Sequence, residues 1–211
     1  MVTPQHEHRH VFDFLGGRLA IDFVNTVSGK RLLAPIERFN DFGDVLAWAE
    51  QIGVASAARA KALRRAAREH PQKAEVALAR AKKLREALFR IFSALAAREH
   101  ASESDLELFN RELADAFSHL RVAESDEGFR WSFCDEDALV SVLWPVARSA
   151  ADVLMKDDPA RVRMCEAPDG CGWLFYDETR NGTRRWCSMK DCGNRAKARR
   201  HYAKSKGVDE T

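Results

Sequence analysis

The sequence predicts a mostly α-helical fold: a helical N-terminal domain with one small β-hairpin, and a compact C-terminal module ending in a basic helix. Three observations carry this. Apolar residues of an Ala-rich body recur at helical rather than strand spacing. Four of the five cysteines, Cys165, Cys171, Cys187 and Cys192, fall in the last quarter of the 211 residues. The formal net charge of +2 hides an asymmetry: Arg161 to Thr211 carry 12 Lys/Arg and 7 Asp/Glu, leaving 22 and 25 for the rest. The composition, 45% hydrophobic with 11 Gly and 6 Pro, excludes disordered and collagen-like chains. Lys156-Asp157-Asp158-Pro159 should end a helix and sets the domains at 1–160 and 161–211.

The body is read in order. Gly16-Gly17 opens a helix whose Leu19, Ala20, Phe23, Val24 and Val27 share one face. Phe42, Val45, Leu46 and Ala49 give a second, ended by Gly53. Ser56 N-caps a third running to about His70, and Pro71 suits the first turn of the next. There Ala77, Ala81, Leu84, Leu88, Ile91, Phe92 and Leu95 form a stripe opposite Arg80, Lys83, Glu86 and Arg90. Ser102 with Asp105 resembles a capping box before Leu106, Phe109, Leu113 and Phe117. Leu120 and Val122, then Phe129, Trp131 and Phe133, alternate about Asp126-Glu127-Gly128, a hairpin signal. A last helix starts at Asp135 or Asp137 and reaches Met155, with Pro145 expected to kink it. Cys134, alone in an alternating strand, reads as a buried small hydrophobe.

The C-terminal cysteines are spaced C-x5-C-x15-C-x4-C. Two close pairs separated by a medium spacer suit a tetrahedral metal site. Pro168-Asp169-Gly170 turns the first pair, and Asn181-Gly182 favours a hairpin between the pairs. Knuckle, hairpin, knuckle and helix is the order of a treble-clef-like or ribbon-like finger. About 50 residues with few large aliphatics cannot bury a sufficient core alone. One structural zinc ion on Cys165, Cys171, Cys187 and Cys192 adds on the order of 10 kcal/mol. Four cysteines leave no position for a catalytic water. Iron is the alternative metal. Chelation is expected to unfold this module and leave most of the helical body. His6, His8 and His10 form H-x-H-x-H in the terminal segment, where the pattern is more often incidental than metal-binding.

Between Arg180 and Lys206, ten basic residues face Asp191 alone. Arg180, Arg184, Arg185, Arg195, Lys197, Arg199, Arg200 and Lys204 are therefore candidate nucleic-acid contacts. Trp173 and Trp186 are expected to pack the finger core rather than stack on bases.

Arg184-Arg185-Trp186-Cys187-Ser188-Met189-Lys190-Asp191-Cys192-Gly193-Asn194-Arg195 resembles the CGNR zinc-finger family, whose first half is matched by Cys165, Cys171, Trp173, Leu174, Phe175 and Asp177. Gly17-Arg18-Leu19-Ala20-Ile21-Asp22-Phe23-Val24-Asn25-Thr26 resembles the opening of the helical ABATE domain that usually precedes this finger. Tyr176 and Thr179 stand where that family more often has an aliphatic and a serine. The resemblance implies a bacterial transcription regulator linked to stress responses, with the finger as nucleic-acid binder.

Three functions follow. The first is a transcription regulator that binds DNA through the finger while the body senses an effector or forms a homodimer. The second is an RNA-binding protein using the same surface. The third is a small-molecule-binding body with a structural finger, its pocket including Asp22, Asn25 and Arg85 with Trp48 or Trp144 nearby. DNA is favoured over RNA. No nucleophile elbow, P-loop, dinucleotide fingerprint or H-E-x-x-H occurs, so no enzyme is expected. Met1-Val2-Thr3-Pro4-Gln5-His6 lacks a signal-peptide core. The apolar run Ala138 to Ala147 is short of the roughly 20 residues that span a bilayer. A cytoplasmic protein with reduced thiols is expected.

Overall fold

The computed structural model describes residues 10–135 and 137–205. In chain order the elements are α1 Leu19–Val24, β1 Val27–Lys30, β2 Ala34–Glu37, α2 Phe42–Gln51, α3 Ala57–Glu69, α4 Pro71–Ala97, α5 Glu103–Ser118, β3 Leu120–Ser125, β4 Gly128–Phe133, α6 Trp144–Met155, β5 Val162–Met164, β6 Leu174–Tyr176 and α7 Asn194–Ser205. The strands form three separate antiparallel pairs, β1–β2, β3–β4 and β5–β6. His6 and His8 lie outside the described residues.

The spine is α4, whose 27 residues give a rod of about 40 Å. Pro71 occupies its first turn, where a missing N–H costs nothing. The expected stripe is buried from Ala77 to Phe92, with Leu95 half-buried, and α4 packs against α1, α2, α3 and α5. A buried aromatic group completes this core: Trp48 sits edge-on to Phe23 at 5.2 Å and to Phe39 at 6.3 Å. Each such side chain removed from water contributes about 2–3 kcal/mol. Ser56 caps α3 through the Arg59 N–H, as its sequence position predicts.

Several elements depart from their sequence reading. The first helix stops at Val24, and Val27 begins β1. Asn25 ends the helix because its side-chain amide pairs with the backbone of Leu174, far along the chain. The chain then turns at residues 31–33, closed by the Leu33 N–H on the Lys30 carbonyl, into β1–β2, a hairpin that helical spacing did not reveal. Pro145 does not kink a helix. It lies in the first turn of α6, preceded by a 3-10 stretch Leu139–Leu143. Ser102 accepts the Asp105 N–H, but Asp105 does not complete a reciprocal box; its carboxylate takes the Ser102 hydroxyl and the Arg90 guanidinium. The reciprocal box is at Asp41 and Asp44, heading α2. Cys134 is half-buried rather than buried.

The β3–β4 hairpin forms with the expected register, Leu120 opposite Phe133 and Val122 opposite Trp131. Its base packs near Trp144, with Phe133 at 5.8 Å from that ring. The outer rungs stand clear: Val122, Phe129 and Trp131 are exposed.

The core does not stop at residue 160. Val162, Leu174 and Tyr176 belong to the same buried cluster as Phe23, Leu88 and Val146. Among the described residues, no helix is long and apolar enough to cross a membrane.

Candidate metal centre and nucleic-acid interface

The first knuckle lies between β5 and β6. These strands pair in register Val162 to Tyr176 and Met164 to Leu174, so the hairpin of the finger encloses Cys165 and Cys171. The expected hairpin at Asn181-Gly182 is absent. Those residues make a turn closed by Gly182 N–H to the Thr179 carbonyl, and no strand follows. The reason is Asp177. Its buried carboxylate accepts the N–H and hydroxyl of Thr179 and the N–H of Arg184, which fixes the loop in a coiled form. The second knuckle is a turn of π-helix, Met189–Gly193, headed by Ser188 and running into α7.

The four thiols Cys165, Cys171, Cys187 and Cys192 are buried, with sulfurs all within 4.8 Å of one another. Cys171 and Cys187 lie at 3.7 Å, and Cys187 and Cys192 at 3.6 Å. Four thiolates at about 2.3 Å from one zinc ion would stand about 3.8 Å apart, so the observed spacing fits a tetrahedral ion. Burial and the neighbouring cysteines push the Cys192 thiol up to about 12 and raise Cys187 and Cys171, while hydrogen bonds from Cys171 and Cys187 hold Cys165 low. Four thiolates packed this closely repel one another, and a divalent cation among them offsets that repulsion. The donor set is therefore that of one zinc ion, held structurally with its four positions filled.

Two arginines read from sequence as nucleic-acid contacts instead serve this centre. Arg184 donates to the carbonyls of Trp186, Cys187 and Leu15 and lies over the Phe175 ring at 4.4 Å. It spans the second knuckle and the body. Arg195 sits 3.1 Å from the Cys192 sulfur and 3.1 Å from Asp169. The spacing Cys192 to Arg195, one helical turn, is the signal that could have found this contact. Arg185 pairs with Glu166 at 2.6 Å and lies over Trp186 at 5.3 Å. Arg180, Lys197, Arg199 and Arg200 are exposed and have no ion pair among the described residues. Lys204 falls within α7. Trp173 is buried, as expected, and donates to the Val27 carbonyl; Trp186 is half-buried.

The body grips the finger at several points. Asn25 exchanges two hydrogen bonds with Leu174, at 2.8 and 3.1 Å. The Arg31 and Leu32 N–H groups donate to the carbonyls of Cys171 and Gly170 in the first knuckle. Gly170 and Gly172, both at positive φ, are so tightly covered that a Cβ would lie 2.6 Å from Leu33 and Leu32. Arg18 binds Asp157 and Glu178 and stacks on Tyr176.

Asp22, Asn25 and Arg85 do not meet in one pocket. Asp22 and Asn25 line a cavity of only about 30 Å³. Asp22 accepts the Gly16 N–H at 2.7 Å, and burial raises its carboxyl to about 6. Arg85 is buried elsewhere, forked onto Glu37 at 2.7 Å through both terminal nitrogens. Trp48 belongs to the aromatic core, and Trp144 donates its indole N–H to Asp115.

Fold and site together define a helical domain joined to a four-cysteine zinc finger. The chain belongs to the ABATE family, described as "Putative stress-induced transcription regulator", whose family model matches residues 17–157. The CGNR zinc-finger model matches residues 161–205. No curated protein matches the chain.

Proposed function

We propose that this protein is a transcription regulator that binds DNA through α7 and the adjoining loop, with the zinc ion as a structural element. The observation that carries the reading is the surface of α7. Over 12 residues, about 18 Å, it has no acidic side chain, and Lys197, Arg199 and Arg200 project without ion-pair partners among the described residues. A phosphate-tracking element needs this arrangement. The family description is in keeping with a nucleic-acid target, and DNA is the one we favour. Arg180 is a further exposed cation, on the loop between the knuckles. Arg184 and Arg195 act from behind, holding the knuckle.

For the body, dimerisation is better supported than ligand sensing. The cavity beside Asp22 and Asn25 is far below the roughly 300 Å³ at which ligand sites begin. The β3–β4 hairpin, in contrast, presents an apolar face. A dimer would bring two copies of α7 to two half-sites. The protein is read as a binder, with no catalytic role assigned.

The test is affinity for duplex DNA as a function of salt, using the zinc-loaded full chain. Arg199→Ala and Lys197→Ala should each weaken binding and each reduce the slope of log K against log salt by about 1. Slopes unchanged in both variants would remove α7 from the interface.

A further inference from the structure

Between the first knuckle and α7 lies an open cleft of about 170 Å³. It is lined by Glu166 and Pro168, by Arg185 and Trp186, and by Arg199 and Arg200 of α7. We propose that this cleft receives one unpaired nucleobase from a bound nucleic-acid strand. The inference rests on the reading of α7 as a nucleic-acid contact and adds what that site selects.

The chemistry of the walls points to a base. Trp186 is half-buried, so its ring packs the finger on one side and meets the cleft on the other. The Arg185 guanidinium lies 5.3 Å above that ring, held by Glu166 at 2.6 Å. With the indole ring already covered by Arg185, the outer side of the guanidinium, backed by that ring, is the surface on which an unstacked base settles. The Trp186 indole N–H has no hydrogen-bond partner among the described residues and remains to donate. Glu166 can accept from a base amino group. Arg199 and Arg200, exposed and without an ion pair among the described residues, suit the phosphates on either side of the inserted base. The cleft is too small for a drug-sized effector and is of the size of a single heterocycle. A paired, stacked base cannot enter without leaving the helix, so the site discriminates against perfect duplex.

The experiment compares a perfect DNA duplex with the same duplex carrying one bulged nucleotide, and the corresponding RNA pair, at fixed salt. Binding of the zinc-loaded full chain is read by anisotropy. The bulged form should bind about tenfold tighter in at least one pair, and the pair that shows it identifies the strand. Trp186→Ala and Arg185→Ala should each erase that advantage. Retained zinc confirms that the first variant folds, and the second leaves the ring in place. Lys197→Ala, outside the cleft, should weaken perfect and bulged forms alike. Equal affinity for perfect and bulged forms in both pairs overturns the cleft but leaves α7 as the duplex contact. An advantage that survives both substitutions overturns it too. No binding to any of the four overturns the cleft together with the function proposed above.

Discussion

Asp22 shows how one buried group acquires a testable signature. It sits on α1 and accepts the N–H of Gly16, in the segment whose next contacts are with the finger: the Gly16 carbonyl takes the Tyr176 N–H, and the Leu15 carbonyl takes Arg184. Burial raises its carboxyl from the usual 3.8 to about 6. Between those values the unfolded chain is ionised and the folded chain holds the proton. Folding therefore takes up a proton, and this group's contribution to stability rises as pH falls through 6 toward 4. Its full range is on the order of 3 kcal/mol. Asp105, whose carboxyl Arg90 holds low, works in the opposite direction. Asp22→Asn removes only the first effect. The melting temperature of the wild type should gain on that of the variant as pH is lowered from 7.5 to 5. A difference that stays flat across this interval would show that Asp22 does not titrate there. The sequence identified Asp22 and Asn25 as polar residues on one helix, but it could not reveal what they bind. Their partners are the backbone of Gly16 and Leu174, and backbone groups leave no mark in a sequence. The same limit hid the role of Arg184, whose three acceptors are all carbonyls.

Among the elements, local signals were legible wherever the chain satisfied itself. Ser56 and Pro71 set the ends of α3 and α4, and the stripe from Ala77 to Leu95 faces the core because α4 is long enough to impose its own period. Elements stabilised from a distance were not legible. β1–β2 is an example: its turn is held by the knuckle carbonyls of Cys171 and Gly170. The β3–β4 hairpin was legible from alternation, yet alternation marks one apolar face without saying what covers it. Its outer rungs, Val122 with Trp131 and Glu124 with Phe129, are exposed. Arg148 borders Trp131 at 5.6 Å, and Glu124 shares the next rung. Neither charge has an ion pair among the described residues. Two copies apposed through this face would bury the aromatic rungs, and Arg148 and Glu124 supply opposite charges beside them, the requirement of a self-complementary contact. A second copy of the chain is therefore the expected occupant. The wild type should sediment as a dimer at tens of micromolar, and Trp131→Ser with Phe129→Ser should sediment as a monomer with an unchanged helical signal. A monomeric wild type at that concentration would rule this interface out.

For the whole molecule, the metal centre was the most legible feature, since cysteine spacing states a ligand set directly. The relation of finger to body was the least. Composition changes sharply near residue 160, which suggested a tail that melts alone. Packing runs across that point. Val162, Leu174 and Tyr176 lie in the body's core, Asn25 pairs with Leu174, Trp173 donates to Val27, and the β1–β2 turn caps the first knuckle. Zinc holds Cys171 in place, and Cys171 in turn accepts from Arg31. Removing the ion should therefore loosen the contacts that the body makes with β6 and the knuckle, as well as the finger itself. Losing two or three of these hydrogen bonds, at about 1 kcal/mol each, should lower the melting temperature of the helical body by roughly 5–10 °C. The packing of α5 between α4 and α6 does not involve the finger, so these helices should remain folded at 25 °C after chelation. Melting followed by far-ultraviolet circular dichroism, with and without chelator, measures this directly. Asn25→Ala in the zinc-loaded protein should reproduce part of the shift, because it cuts the same connection from the other side. An unaltered melting temperature on chelation would mean that the shared core does not transmit the loss, and that finger and body are thermodynamically independent despite their contact.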